Sequence, residues 1–360
     1  MREPGFYLKP TGLLTGTAAA NACGAGMAAR VACGPVAFTS GELIRRNGTA
    51  RDVAVVALGG LRSCRLRDDD PDLSQAIQAR LDSIVSPRPP FAGLSLDRPR
   101  IMGVVNVTPD SFSDGGHYAN RDAAIAHGRA LAGAGGDILD IGGESTRPGA
   151  ASVSLDEELE RVIPVIEALA GDGALVSIDT RHSAVMRAAV AAGARIINDV
   201  TALAGDPDSL PTAAASGAAI VLMHMQGEPR TMQQDPSYRD APLDLYDDFA
   251  TRLAVCRAAG IEPGRIAVDP GIGFGKRDPH NLAILADLAL YHGLGCALAL
   301  GVSRKSFIGR LSRGEGADNR LAGSLAAALA GLDRGVHIIR VHDVAETAQA
   351  VAIWRAVAGA

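Results

Sequence analysis

From Arg100 onward, eight short aliphatic runs recur: IMGVVNV, DILDIGG, ALVSIDT, RIINDV, AIVLMHM, RIAVDPG, ALALGVS and HIIRVHD. Each is followed by a polar or glycine-bearing loop and then an Ala/Leu-rich amphipathic stretch of helical length. Strands buried on both faces read as continuous apolar runs because helices cover them, which is the habit of parallel sheets. Eight such strand–helix units in sequence predict an α/β protein of the (β/α)8 TIM-barrel class. A doubly wound open sheet has the same alternation and competes with it, since sequence does not show closure.

Every run ends on specific polar residues. In order these are Asn106, Asp140, Asp179, Asn198 with Asp199, His224, Asp269, Ser303 with Lys305, and Arg340 with His342. A single Asp or Asn before a helix is ordinarily its N-cap. A full set of strand ends carrying carboxylates, amides and cations goes beyond capping, because such groups are costly to bury without partners. A barrel would gather them on its C-terminal face, where the active sites of this fold lie. With no HExxH and no Cys/His pair, a transition-metal centre is not expected. Ser303 and His224 are too scattered to suggest a Ser-His-Asp triad. Carboxylates beside amides and one lysine suit a flat, nitrogen-rich heterocycle. Arg340 and His342, just ahead of a helix start near Asp343, suit a phosphate or diphosphate. Two long loops, NVTPDSFSDGG and GGESTRPGA, have the composition of segments that close over substrates.

VDPGIGFGK (Val268 to Lys276) looks at first like a phosphate loop. It fails the Walker A pattern, with Pro270 at the first glycine and Arg277 at the Ser/Thr, and it fails GxGxxG as well. The stretch reads instead as a strand end and tight turn. Asp269 is its working residue, and Lys276 is expected to be a helix-start or surface lysine.

The chain upstream is less legible. SPRPPFAG (residues 86–93), with three prolines, is the linker candidate between an extension (1–85) of unknown fold and function and a barrel (94–360). Within the extension, DVAVVALGG reads as a strand and DLSQAIQARLDSIV as a helix, with DDDPDLS as its solvated start. The segment LLTGTAAANACGAGMAA is too diluted by polar residues and glycine for a signal peptide. No apolar run reaches membrane-span length, and the five cysteines are odd in number and widely spaced. The expected setting is a reducing cytoplasm. A net charge of −5 argues against nucleic-acid binding.

GVVNVTPDSFSDGG (Gly103 to Gly116) and LDIGGESTRPGA (Leu139 to Ala150) resemble the two signature segments of the dihydropteroate synthases, folate-pathway transferases inhibited by sulfonamides. SIDT, IINDV, LMHMQG, VDPGIGFGK, GVSRKSFIG, GSLAAALA and IIRVHDV continue the resemblance in order, from Leu94 to the C-terminus, with no departure at a motif position. Residues 1–85 lie outside it.

The resemblance implies a TIM barrel that joins p-aminobenzoate to 6-hydroxymethyl-7,8-dihydropterin diphosphate, with Mg²⁺ as cofactor and a homodimer as the assembly. It implies that Asp140, Asp179, Asn198, Met223, Asp269 and Lys305 bind the pterin. Phe112, Thr146, Pro148, Phe274 and Ser306 would line the p-aminobenzoate pocket. Arg147, Arg340 and His342 would hold the diphosphate, with Asn106 on the metal. Lys305, Asp140, Arg340 and His342 form the implied catalytic set. Two alternatives stay open. A methyltetrahydrofolate-dependent methyltransferase module shares the fold but has no use for the STRPGA loop, Arg340 or His342. A pterin-binding protein without turnover is distinguished only by an assay.

Overall fold

The computed structural model describes residues 5–48, 50–63, 71–107, 117–144, 153–227 and 231–359. It opens with a small sheet of β1 (Phe6–Leu14), β2 (Ala29–Arg30), β3 (Ala37–Asn47) and β4 (Ala50–Ala57). β3 is central and pairs antiparallel with each of the others. Helices α1 (Gly16–Gly24), α2 (Leu58–Ser63) and α3 (Pro71–Val85) accompany it. The run from Asp52 to Gly60, expected as one strand, divides at Ala57: Leu58 and Leu61 are both buried, and their spacing of three places them on one face of α2. Segment 13–29 is folded, ending β1 and forming α1, while DDDPDLS lies in part outside the described residues.

Eight parallel strands then close into a barrel, which decides against the open sheet. They are β5 (Arg100–Asn106), β6 (Ile138–Gly142), β7 (Val176–Asp179), β8 (Ile196–Asp199), β9 (Ala219–Met223), β10 (Ile266–Asp269), β11 (Ala297–Gly301) and β12 (Ile338–Val341). Each of the eight apolar runs supplies one strand. The ring closes between β12 and β5, with Ile339 opposite Ile101. Helices alternate with the strands: α4 (His117–Gly133), α5 (Leu155–Gly171), α6 (Ser183–Ala191), α7 (Ser209–Ser216), α8 (Ala241–Ala258) and α9 (Asp278–Ala286) come first. After β11 come α10 (Ser306–Leu311) and α11 (Leu321–Leu332), and α12 (Val344–Ala358) follows β12.

Two apolar layers account for the architecture. One lies between strands and helices, with Val105, Leu139, Ile178, Ile220 and Val268 packed against residues such as Val165, Ile166 and Phe249. The other fills the barrel's lower half, where Met102, Ile138, Ile196, Val221, Ala267, Ala299 and Ile338 meet Phe91 and Leu96. A packed interior leaves only the opposite end for ligands.

Segment 86–93 is built into this floor. Phe91 is fully buried and pairs with Leu94. Arg88 donates to the carbonyls of Ser83, Ser86, His292 and Cys296 at 2.8–3.0 Å. Its prolines thus belong to a fixed plug, because Arg88 and Phe91 have partners far away in sequence. The extension is docked as well: Tyr7 and Ile44 belong to the same core cluster as the helices around the barrel. Among the described residues, no helix is long and apolar enough to cross a membrane.

Candidate active site at the C-terminal mouth of the barrel

Strand alternation decides which polar residues face inward. Asn198 points into the barrel and donates to Asp140 Oδ2 at 3.0 Å. Its neighbour Asp199 points outward, where it accepts from the backbone N–H groups of Thr201 (2.7 Å) and Leu203 (3.0 Å). Asp199 therefore shapes a turn and does not join the site. Asp140 sits within β6, not at its end, and is fully buried.

Arg340 connects the cluster. From β12 its Nε donates to Asp140 Oδ2 at 2.6 Å and its Nη2 to Asp179 Oδ2 at 2.7 Å. One guanidinium bridging two carboxylates offsets repulsion that would otherwise protonate one of them. Burial, with the Asp140 charge acting the same way, still raises the Asp179 carboxyl above its ordinary range against the pull of Arg340. Asp140 Oδ1 is buried and has no hydrogen-bond partner among the described residues. An acceptor left open in this way calls for a donor from a ligand.

Asp269 closes the other side. Burial raises its carboxyl, opposed by the Gly271 N–H and by the charges of Lys305, Arg340 and Lys276. The Gly271 N–H reaches Asp269 Oδ1 at 2.7 Å. Gly271 and Gly275 both have positive φ, +62° and +59°, and a Cβ there would lie 2.1 Å from His224 O and 2.5 Å from Gln226 O. No side chain fits, so the turn after β10 requires glycine. Met223 is buried beside this turn. Lys305 places its ammonium 4.0 Å from the centre of the Phe274 ring, a cation–π contact. His342 Nδ1 pairs with Ser303 Oγ at 3.1 Å. Arg304 grips Asp343, the residue that opens α12.

The structure thus brings Asp140, Asp179, Asn198 and Arg340 into one hydrogen-bonded network, with Asp269 close to it. Lys305 and Phe274 form a second pair. Ser306 is the exposed first residue of α10. Phe112, Thr146, Arg147 and Pro148 lie outside the described residues. At the root of the second loop, Glu144 is held by Arg181 through two bonds of 3.1 Å. For a metal, Asn106 Oδ1 and Asp179 Oδ2 lie 3.8 and 3.9 Å from where a side chain on Gly142 would begin. Among the described residues no three His, Cys, Asp or Glu side chains cluster to hold an ion. One hard amide oxygen at the mouth fits Mg²⁺ that takes its other ligands from phosphate and water.

Lys276 departs from expectation. It is 2% exposed, not a surface lysine. Its Nζ is surrounded by His224 Nδ1 (3.0 Å) and the carbonyls of His224 (3.1 Å), Gly271 (3.0 Å) and Phe274 (2.9 Å). Burial lowers its pKa to about 7, with Lys305 acting the same way and Asp269 and Asp248 opposing. Four acceptors around one amine favour the ammonium against that pull. The sequence carries no local signal for this, since every acceptor is a backbone oxygen or a residue of another loop.

Comparison with known proteins agrees with this geometry. Residues 102–342 match the family described as pterin binding enzyme. The chain is 47% identical over 264 residues to the dihydropteroate synthase of Escherichia coli (strain K12), covering 73% of this chain and 93% of that protein. The solved Xanthomonas albilineans dihydropteroate synthase with 4-aminobenzoic acid superposes with a TM-score of 0.71 at 49% identity, covering 75% of this chain and 98% of that one. The same organism's enzyme in complex with 7,8-dihydropteroate gives 0.69 at 46% identity, covering 75% and 98%. This chain therefore belongs to the dihydropteroate synthase family of pterin-binding enzymes.

Proposed function

We propose that the protein condenses p-aminobenzoate with 6-hydroxymethyl-7,8-dihydropterin diphosphate to give 7,8-dihydropteroate and diphosphate, as a transferase of folate biosynthesis. The observation that carries this reading is the open, buried Asp140 Oδ1 inside a network of Asp179, Asn198 and Arg340. Such a wall is complementary to the N–H edge of a pterin ring. The X. albilineans relative solved with 7,8-dihydropteroate supports the same ring chemistry here.

In the proposed reaction the bond between the pterin methylene and the diphosphate oxygen breaks first, and its electron pair leaves with the diphosphate. The methylene cation left behind is conjugated with the electron-rich ring. The aniline nitrogen of p-aminobenzoate then attacks with its lone pair, and the proton it loses passes to water. An aniline is unprotonated at neutral pH, so no protein base has to activate it.

Asp140, Asn198 and Asp269 hold the ring in the plane that conjugation needs, with Asp179 and Met223 at its sides. Lys305 donates to the ring and, over Phe274, ties the pterin to the amine pocket. Arg340, His342, Arg147 and the start of α12 receive the negative charge that grows on the leaving group. Asn106 would hold Mg²⁺, whose charge would neutralise diphosphate oxygens and make diphosphate a better leaving group. The two long loops exclude water that would otherwise capture the cation.

We also propose a homodimer through the outer helices, where α12 exposes Ile353 (64%) and Val357 (77%). Sedimentation of the purified chain tests it, and a monomer at micromolar concentration would refute it. Sensitivity to sulfonamides follows from a pocket that accepts p-aminobenzoate. The test of the activity is to incubate the chain with both substrates and Mg²⁺ and to look for dihydropteroate by mass. Well-folded protein that gives no product refutes the reading.

A further inference from the structure

The buried ammonium of Lys276 has no place in the reaction as described, yet it lies directly behind the site. Its four neighbours come from two different loops. His224 follows β9, the strand that carries Met223; Gly271 and Phe274 belong to the turn after β10, the strand that carries Asp269. An ammonium shares three N–H groups among these four acceptors and has no lone pair of its own, so His224 Nδ1 faces it without a hydrogen. That fixes the tautomer: His224 Nε2 carries the hydrogen and donates it to Asp248 Oδ2 at 3.1 Å. Burial lowers the His224 pKa, which keeps the ring neutral and able to accept.

The consequences reach both halves of the site. Holding the Gly271 carbonyl orients the peptide whose N–H meets Asp269. Holding the Phe274 carbonyl fixes the backbone that sets its ring beneath Lys305. Gln233 on the Gly273 carbonyl (2.6 Å) and Tyr238 on the Gly275 carbonyl (2.8 Å) brace the same turn from outside. From within, the buried Asn281 accepts from the Gly273 N–H at 2.9 Å and Lys276 holds the carbonyls, at three positive-φ glycines whose conformational freedom is otherwise the greatest of any residue.

We propose that Lys276 is a positioning residue of the reaction, whose ammonium pins the Gly271–Phe274 turn by its carbonyls and so presents Phe274 to the p-aminobenzoate pocket. It touches no substrate and acts through Phe274. The inference rests on the proposed synthase activity, and wild-type turnover is measured first. Its absence refutes that reading, whereas the outcomes below concern Lys276 alone.

Lys276→Met keeps the length of the side chain and removes the donors. The expected result is a rise of about tenfold or more in KM for p-aminobenzoate, with KM for the pterin diphosphate changed by less than about threefold. In a Phe274→Ala background the same substitution should add less than about twofold, because its route of action is gone. A purely structural lysine would lower the melting temperature and leave this split unmoved. An unchanged KM for p-aminobenzoate, or an equal penalty in both backgrounds, overturns the proposal. If Lys276→Met does not fold, hydrogen exchange on the unliganded wild-type chain decides. Amides from Gly271 to Lys276 should be protected like those of β10, and exchange as fast as that of exposed loops overturns it.

Discussion

Two regions of this molecule use the same ion-pair chemistry to different ends. Where the extension meets the barrel, Tyr7 donates to Asp247 (2.9 Å), Lys9 to Asp287 (3.0 Å), and Arg46 pairs with Asp244 (3.0 Å) and Asp247 (3.3 Å). Arg51 forks onto Asp240 and reaches Asp287 at 3.1 Å. Carboxylates of α8 and of the end of α9 are thus closed by partners from the small sheet. At the barrel mouth Arg340 also bridges two carboxylates, but Asp140 keeps one oxygen open. A closed pair fixes two parts of a structure together. An open one, in a dry setting, is ready for a ligand.

The largest effects are expected where an acceptor or donor is held for the ligand. Lys305→Ala and Asp140→Ala should each lower kcat/KM by about 10²-fold or more, since each removes a charge-assisted bond to the bound ring in a desolvated site. Steady-state kinetics check this, and wild-type-like values for either would place the pterin elsewhere. At the closed interface the cost should appear in stability. A chain beginning at Ala92 exposes Tyr246 and Tyr291 and leaves Asp240, Asp244, Asp247 and Asp287 without their partners. It is expected to be insoluble or to melt at least about 10 °C lower. Full activity with unchanged melting would show that the extension is only an appendage.

Within that interface, Arg51→Ala should cost about 1–3 kcal/mol in denaturant unfolding and leave kcat unchanged. A change in kcat would break the separation between the two regions. The smallest effect concerns His182, held at 2.7 Å by the buried Glu158. That hydrogen bond raises the His182 pKa above its ordinary value of 6.5, against desolvation. The sign follows from proton binding: at pH values between the unfolded and folded pKa the native state holds the extra proton. The stabilisation is fully present below 6.5 and is lost as pH rises through the raised value. Relative to His182→Asn, the wild type should lose an advantage of up to about 1 kcal/mol over that window. Parallel pH profiles for the two would mean the pair contributes nothing.

Much of the barrel was legible because its signals are local. Each strand must be apolar on both faces, and each C-terminal end must hand a polar residue to the mouth, so IINDV or RIAVDPG announces both strand and site. Even the division between Asn198 and Asp199 follows from alternation along a strand. The extension was hard to read for the opposite reason. Its four strands are short or half-exposed, and what holds them in place is Asp240, Asp247 and Asp287, about two hundred residues or more away along the chain. Segment 86–93 misled in the same way: proline-rich composition marks an irregular backbone and does not say whether that backbone is free or, like Phe91, buried.

By itself the sequence determined the eight-fold repeat of strand and helix, the residues offered at the strand ends and, through its motifs, the family. These depend on periodicity and on the cost of burying polar groups, which act residue by residue. Only the tertiary structure decided that Lys276 lies inside, that Arg340 spans Asp140 and Asp179, and that the small sheet belongs to the barrel's outer core. A buried charge is tolerable only where partners converge on it, and here they converge from loops and strands far apart in the chain.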